Sequence, residues 1–315
     1  MAADLSPETV TSRPYRDDAD FWRIRQLCLD TYPITPVGWN WEIRRWEGQR
    51  FHEVDPAPDP RWPSWIRLWE TAEEGRLVGV ANPEGHLGEA FLQLHPDYRH
   101  LEAEMLSWCE ENLAAPAGVG GRRLRTYVHD YDTPRRRLLA ERGYAETAEW
   151  GMIRRLRLGE RPLPVPEIAA GYTLRETRPG PADEQGIADI LNAAFRRTIH
   201  TAAEFHGFTS AAPSYRRGLD LVAEAPGGGF GAYVGITWDP ANRRGIYEPV
   251  CTHPEHRRRG LALALMREGL RRLRALGAAA VYVETGDLGP ANGLYDAVGF
   301  TEAYGGHYWE RSWPA

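Results

Sequence analysis

Cysteine is scarce in this chain. Only Cys28, Cys109 and Cys251 occur in 315 residues. They are widely spaced and form no C-x-x-C pair, which excludes a disulfide framework and fits a reducing, cytoplasmic setting. No metal site is expected. Long apolar runs are missing too, so no membrane span is expected. No N-terminal segment joins a basic head to an apolar stretch, so no secretory leader is expected either. Positive charge is not in excess. The formal net charge of -6 argues against a nucleic-acid footprint over the whole chain. What is present suffices for two domains rather than one, with 42% apolar residues and 12 tryptophans to build packed cores.

The most informative stretch is His253-Pro-Glu-His-Arg257-Arg-Arg-Gly260-Leu-Ala262. An extended run, residues 245–252, precedes it, and a helical pattern starts near Leu261. A strand, a tight basic turn and a helix N-terminus make an anion site. Backbone N–H groups converge there and the helix dipole favours negative charge. Gly260 allows close approach to the backbone, and Ala262 keeps the first helical turn open. Arg257, Arg258 and Arg259 add positive charge. Downstream, residues 278–285 read as a buried strand. Ala291-Asn-Gly-Leu-Tyr295-Asp-Ala-Val-Gly299-Phe300 then reads as a helix with a glycine stop, turning into another strand.

The alternating prolines of Arg161-Pro-Leu-Pro-Val-Pro166 mark a stiff linker between near-equal halves. The halves repeat one order of elements. In the second, residues 172–176, 219–225 and 230–238 read as strands, and residues 182–197 as an amphipathic helix followed by a short one from Ala202. In the first, helices are expected at 20–32 and 41–51. Strands are expected at 66–69, 77–81, 89–94 and 124–128, with a last helix at 135–142. His95-Pro-Asp-Tyr-Arg99 repeats His253-Pro-Glu-His-Arg257 nearly residue for residue. After Arg99, however, no glycine follows, and Glu102 puts a carboxylate where a phosphate would be repelled.

The R-x-x-G-x-A loop and the N-x-x-Y-x-x-x-G-F spacing, in this order and separation, resemble the GNAT (GCN5-related) N-acetyltransferase superfamily over residues 168–313. The resemblance implies a tandem α/β (α+β) architecture, each domain a mixed, mostly antiparallel sheet flanked by helices. Residues 1–160 would form a degenerate GNAT-like domain without a CoA site, 161–167 the linker and 168–315 the catalytic domain. It further implies acetyl-CoA as co-substrate, with its pyrophosphate on Arg257, Arg258, Arg259, Gly260, Leu261 and Ala262. Asn292 would lie near the pantetheine arm, and Tyr295 would protonate the departing thiolate. The family's strand before the loop splays from its neighbour and presents backbone groups to the thioester. Here Pro249, which cannot donate to a sheet ladder, suits such an opening, and the N–H groups of Val250, Cys251 and Thr252 are the candidates.

Acetyl transfer to an amine also needs a proton acceptor. Glu248 is the first candidate, directly or through a water. His253 begins the phosphate loop and recurs as His95, which points to a structural role. Cys251 reads as a buried structural thiol because the family transfers directly. The acceptor pocket is expected among residues 195–215, with His200, Glu204, Phe205, His206 and Tyr215. Such groups suit a small amine; no nucleic-acid or membrane partner is expected, and the chain would be a monomer or homodimer. The tryptophans at 39, 41 and 46, with Arg44 and Arg45, suit either a packed amphipathic helix or a stacking surface. Two alternatives stay open: a CoA-responsive binding or regulatory module without chemistry, and a mycothiol-synthase-like acetyltransferase, which the tandem plan resembles although Tyr247-Glu248-Pro249-Val250 departs from that enzyme's strand.

Overall fold

The computed structural model describes residues 8–52, 61–118, 120–160, 162–286 and 289–314. In chain order its elements are β1 (Val10–Pro14), α1 (Asp18–Thr31), α2 (Ile43–Phe51), β2 (Arg67–Thr71), β3 (Leu77–Asn82), β4 (Phe91–Leu94), α3 (Glu102–Asn112), β5 (Ala115–Ala117), β6 (Gly121–His129), α4 (Thr133–Glu141) and β7 (Ala145–Arg157). They continue with β8 (Thr173–Glu176), α5 (Pro181–Phe195), α6 (Ala202–Ala211), β9 (Leu221–Glu224), β10 (Phe230–Asp239), β11 (Arg244–Thr252), α7 (Leu261–Ala275), β12 (Ala280–Gly286), α8 (Gly289–Val298) and β13 (Glu302–Trp313). This is the mixed α/β plan expected from the sequence.

Two compact units take their described residues from interleaved segments. The first draws on Met1–Glu42, Asp59–Trp150 and Tyr304–Ala315, the second on Ile43–Pro58 and Gly151–Ala303. The units therefore differ from the ranges 1–160 and 168–315 at three places: helix α2, residues 151–160, which carry the end of β7 and fall in the second unit, and the end of the last strand. Helix α2 belongs with the second unit because it packs on α6 and because its fully buried Glu47 accepts hydrogen bonds from Ser214 N at 3.2 Å and Ser214 Oγ at 2.5 Å. The last strand leaves the second unit after Ala303, and its residues Gly306–Trp313 pair antiparallel with β6. Arg161 of the expected linker lies outside the described residues; 162–170 carry no helix or strand.

In the first unit β1, β2, β3 and β4 form an antiparallel sheet in that order. Trp69, Val78, Leu94, Met105 and Leu106 are buried together against it. The loop after β4 goes directly into a tight helical turn, Pro96–Leu101, which runs into α3 without a glycine. Glu102 is buried there and accepts from Arg135 at 2.9 Å, with Arg99 Nε 3.4 Å away. Arg99 also pairs with Asp132 and lies over the Trp39 ring at 4.6 Å. The basic groups of this loop are thus neutralised by the protein's own carboxylates.

The second unit orders its strands as β7 (from Gly151), β12, β11, β10, β9, β8. Among the described residues of this unit, only β11 and β12 pair in parallel. Helix α7 covers this sheet through Leu261, Leu265, Leu270 and Leu273, a helical spacing that places one apolar face on the strands. Arg271 and Arg272 stay on the other face and pair with Glu268. The approach of α7 to the sheet depends on Gly269. A Cβ there would meet Ile236 Cδ1 at 2.4 Å and Tyr247 OH at 2.8 Å. Gly269→Ala should therefore lower stability by about 1–3 kcal/mol through overpacking, although helix propensity alone favours alanine by about 1 kcal/mol. Thermal melts of the two proteins check this, and a raised melting temperature would contradict it.

Candidate active site

The sheet of the second unit opens at one defined place. Strands β11 and β12 pair in register from Arg244 opposite Ala280 to Tyr247 opposite Val283. Both strands continue, β11 to Thr252 and β12 to Gly286, with no further pairing between them among the described residues. On its other side β11 stays paired with β10, with Val250, Cys251 and Thr252 opposite Val234, Tyr233 and Ala232. The register shifts between Val234 and Ile236, where Glu248 and Pro249 stand opposite Gly235. A Cβ on Gly235 would lie 3.0 Å from Glu248 O and 2.9 Å from Tyr233 OH, so only glycine leaves this junction unobstructed. The Glu248–Pro249 peptide is cis.

Directly after the open strand the chain makes a turn at Pro254–His256, in which His253 Nδ1 accepts from Glu255 N at 3.3 Å. His95 makes the same contact with Asp97 N at 3.3 Å, so both histidines cap turns. Arg258 and Gly260 adopt positive φ, 62° and 70°. Gly260 is the N-cap of α7 and no side chain caps it. The first helical bond is Ala264 N to Gly260 O, so the N–H groups of Leu261, Ala262 and Leu263 find no backbone partner among the described residues. No atom lies within 4 Å of where a Gly260 Cβ would be. Arg257, Arg258 and Arg259 are exposed around this end; Arg257 Nη2 also reaches Ala194 O at 3.4 Å. Leu261 and Ala262 are buried, so they offer the loop their N–H groups and not their side chains. Uncapped N–H groups, a helix dipole, three arginines and open space fit a phosphate-bearing donor such as acetyl-CoA.

Helix α8 lies beyond the open strand. Tyr295 is 5% exposed. Burial, and then the negative charge of Glu248, push its hydroxyl up to about 12, so it holds its proton at neutral pH. Asn292 Oδ1 accepts from Arg154 at 3.0 Å, and the same guanidinium donates to Asp296 Oδ1 at 2.6 Å and to Phe300 O at 2.7 Å. Asn292 therefore fixes α8 to β7 through its carbonyl and has its amide N–H groups to offer a ligand. Cys251 is 5% exposed, and burial pushes its thiol up to about 12, which suits a structural role.

A cavity of about 250 Å³ adjoins the Glu248–Pro249 junction. Of the residues expected to shape an acceptor pocket, His200, Glu204, Phe205 and Tyr215 line it. His206 does not; it is exposed, with Nδ1 2.8 Å from Glu184 Oε1. Glu248 is 44% exposed at its side chain and 3.6 Å from Arg44 Nη1. Arg44 and His52 reach this cavity from α2 and the residue after it, far away in sequence. His52 stacks on Phe208 at 4.4 Å, and burial together with Arg44 and His200 lowers its pKa to about 3, leaving it neutral. Trp46 is fully buried, so this helix packs rather than presenting a stacking surface. Asp220, Tyr233 and Thr237 also line the cavity. Asp220 falls within residues 219–225, expected as a strand, and an aspartate inside the run Leu219-Asp-Leu-Val-Ala is a signal in itself.

Strand opening, uncapped helix end and cavity all lie in the second unit. The model of the acetyltransferase (GNAT) family matches residues 188–300. A mycothiol acetyltransferase of Kineococcus radiotolerans is 31% identical over 259 residues, covering 73% of this chain and 77% of that protein. One from Thermobispora bispora is 32% identical over 204 residues, covering 60% and 66%. Among solved structures, a tandem GNAT protein from the clavulanic acid biosynthesis pathway superposes with a TM-score of 0.65 at 17% identity, covering 98% of this chain and 99% of that one. A GCN5-related N-acetyltransferase from Sphaerobacter thermophilus gives 0.64 at 20% identity, covering 97% and 96%. The chain belongs to the GNAT family, as a tandem-domain, acyl-CoA-dependent N-acetyltransferase. No helix among the described residues is long and apolar enough to cross a membrane.

Proposed function

We propose that this enzyme moves an acetyl group from acetyl-CoA directly to the amino group of a small molecule, at the site in the second unit. The observation that supports this most is the loss of β11–β12 pairing after Tyr247, immediately before an uncapped helix end with Gly260 at positive φ. In this reading the pyrophosphate rests on the N–H groups of 257–262 and on Arg257, Arg258 and Arg259. The pantetheine arm runs along Val250, Cys251 and Thr252, with Asn292 nearby. The acetyl group then reaches the Glu248–Pro249 junction, and the acceptor occupies the adjoining cavity. Held there, the two reactants meet in attacking geometry. The acceptor's ammonium gives a proton to Glu248, directly or through water. The freed nitrogen pair forms the C–N bond, the C–S bond breaks, and the sulfur takes the Tyr295 proton. The second proton of the nitrogen passes through water to the Tyr295 oxygen and restores it, and Glu248 releases the first proton to solvent.

The first unit is proposed to bind no CoA, because Glu102 occupies Arg99 and Arg135 at the corresponding loop. Calorimetric titration with acetyl-CoA is expected to give one site per chain; two sites would contradict it. We place the enzyme in the cytoplasm, in keeping with three widely spaced, buried cysteines, as a monomer or homodimer with no nucleic-acid partner. A mycothiol-type acceptor is a second reading, favoured by the relatives named mycothiol acetyltransferases. Glu248 at the cavity and a protonated Tyr295 disfavour a binding module without chemistry.

A further inference from the structure

We propose that Asp220 is the group that receives the cationic amino group of the acceptor in the cavity. This rests on the reading above, of a small amine as acceptor, and adds the residue that recognises it. Asp220 stands just before β9 and is 2% exposed, yet it lines the cavity. Three hydroxyls donate to it: Thr177 Oγ1 to Oδ2 at 2.7 Å, Tyr215 OH to Oδ2 at 3.2 Å, and Tyr233 OH to Oδ1 at 2.7 Å. A carboxylate has about four acceptor positions, so one, on Oδ1, is uncommitted among the described residues. No cationic side chain forms an ion pair with it among those residues. A buried carboxylate held by hydroxyls alone is an arrangement that a protein normally completes with a positive charge. Here the cavity is where such a charge can enter.

The position also fits the reaction. Tyr233 OH, which donates to Asp220, lies 2.9 Å from where a Gly235 Cβ would stand, and that same point is 3.0 Å from Glu248 O. One tyrosine and one glycine thus separate Asp220 from the junction where the strands part. An ammonium drawn to Oδ1 is delivered beside the proposed acetyl position, and Glu248, which lines the same cavity, takes the proton. Asp220 is a positioning residue in this scheme: it selects primary ammonium compounds compact enough for about 250 Å³ over neutral analogues.

Burial raises the Asp220 carboxyl to about 6, and the hydrogen bonds from Thr177, Tyr233 and Tyr215 oppose that rise. The titratable and charged groups facing it are Tyr233 from β10, Tyr215 from the loop after α6 and Arg217 from the turn before β9. The other charged or titratable groups lining the cavity are Arg44, His52, Arg197, His200, Glu204 and Glu248. Protonating Asp220 removes its attraction for an ammonium, so the KM for the amine should rise as pH falls through about 6.

The test uses the full chain, acetyl-CoA, and phenethylamine, putrescine and glucosamine as amine probes, followed by release of free CoA thiol. In Asp220→Asn the KM for every accepted amine is expected to rise at least about tenfold, as for a lost charge-assisted hydrogen bond. Its kcat should change far less, its acetyl-CoA affinity should stay intact, and its KM should no longer rise at low pH. Tyr233→Phe removes one hydroxyl that keeps Asp220 acidic, so the pH limb of KM should move upward. An unchanged amine KM in Asp220→Asn with acetyl-CoA affinity intact overturns the assignment alone. So does an unmoved limb in Tyr233→Phe, which decides the matter if the asparagine variant does not fold. Failure of the wild-type enzyme to acetylate any probe overturns the small-amine reading, and this assignment with it.

Discussion

Gly260→Asp is expected to weaken acetyl-CoA binding by on the order of a hundredfold or more, through two independent effects. The φ of 70° at Gly260 is one that a residue with a Cβ adopts at a cost of roughly 1–2 kcal/mol. The new carboxylate would also face the pyrophosphate at the helix end. Two unit charges about 4 Å apart near a protein surface repel by roughly 4 kcal/mol. Space is not the reason, since nothing lies within 4 Å of the added Cβ. Calorimetry with acetyl-CoA, alongside a thermal melt to confirm folding, checks this. A folded variant that binds within a few-fold of wild type would show that the phosphates lie elsewhere.

Tyr295→Phe is expected to lower kcat on the order of a hundredfold, as for loss of a positioned proton donor. Acetyl-CoA affinity should hardly move, because the ring stays packed against Phe300 at 5.8 Å between centroids and only the hydroxyl is lost. The pH profile carries a second sign of the same role. Burial and Glu248 raise the hydroxyl to about 12, so its proton is present throughout the working range, and no alkaline fall of kcat from Tyr295 is expected below pH 10 or so. Steady-state kinetics of both proteins from pH 6 to 10, on the order of the range set by these groups, give the comparison. Unchanged turnover would mean that solvent protonates the sulfur.

Where the chemistry depends on local backbone, the sequence was legible. The strand, basic turn and helix at 244–275 follow from Gly260, the arginines and the helical pattern of apolar residues in α7. The same comparison shows why the loop at Arg99–Glu102 differs: without glycine the turn runs into α3, and Glu102 folds onto Arg99 and Arg135. What depends on tertiary packing was not legible. Arg44 and His52 come to the cavity because α2 packs on α6, and no spacing in sequence announces a pairing of residues near 50 with residues near 204. Asp220 was hidden for a related reason. Its three hydroxyl partners, at 177, 215 and 233, come from three separate segments, so only the assembled sheet shows that they converge. The interleaving of the two units is similar: β13 continues past Ala303 as one uninterrupted strand, and pairing with β6, not chain order, decides where its end belongs.

The most direct test of this account is the release of CoA thiol from acetyl-CoA as a primary amine is added, with the product followed by mass. The predicted result is amine-dependent release, matched mole for mole by N-acetylated amine and lost in Gly260→Asp. Binding of acetyl-CoA at a single site without any amine-dependent thiol release would contradict it.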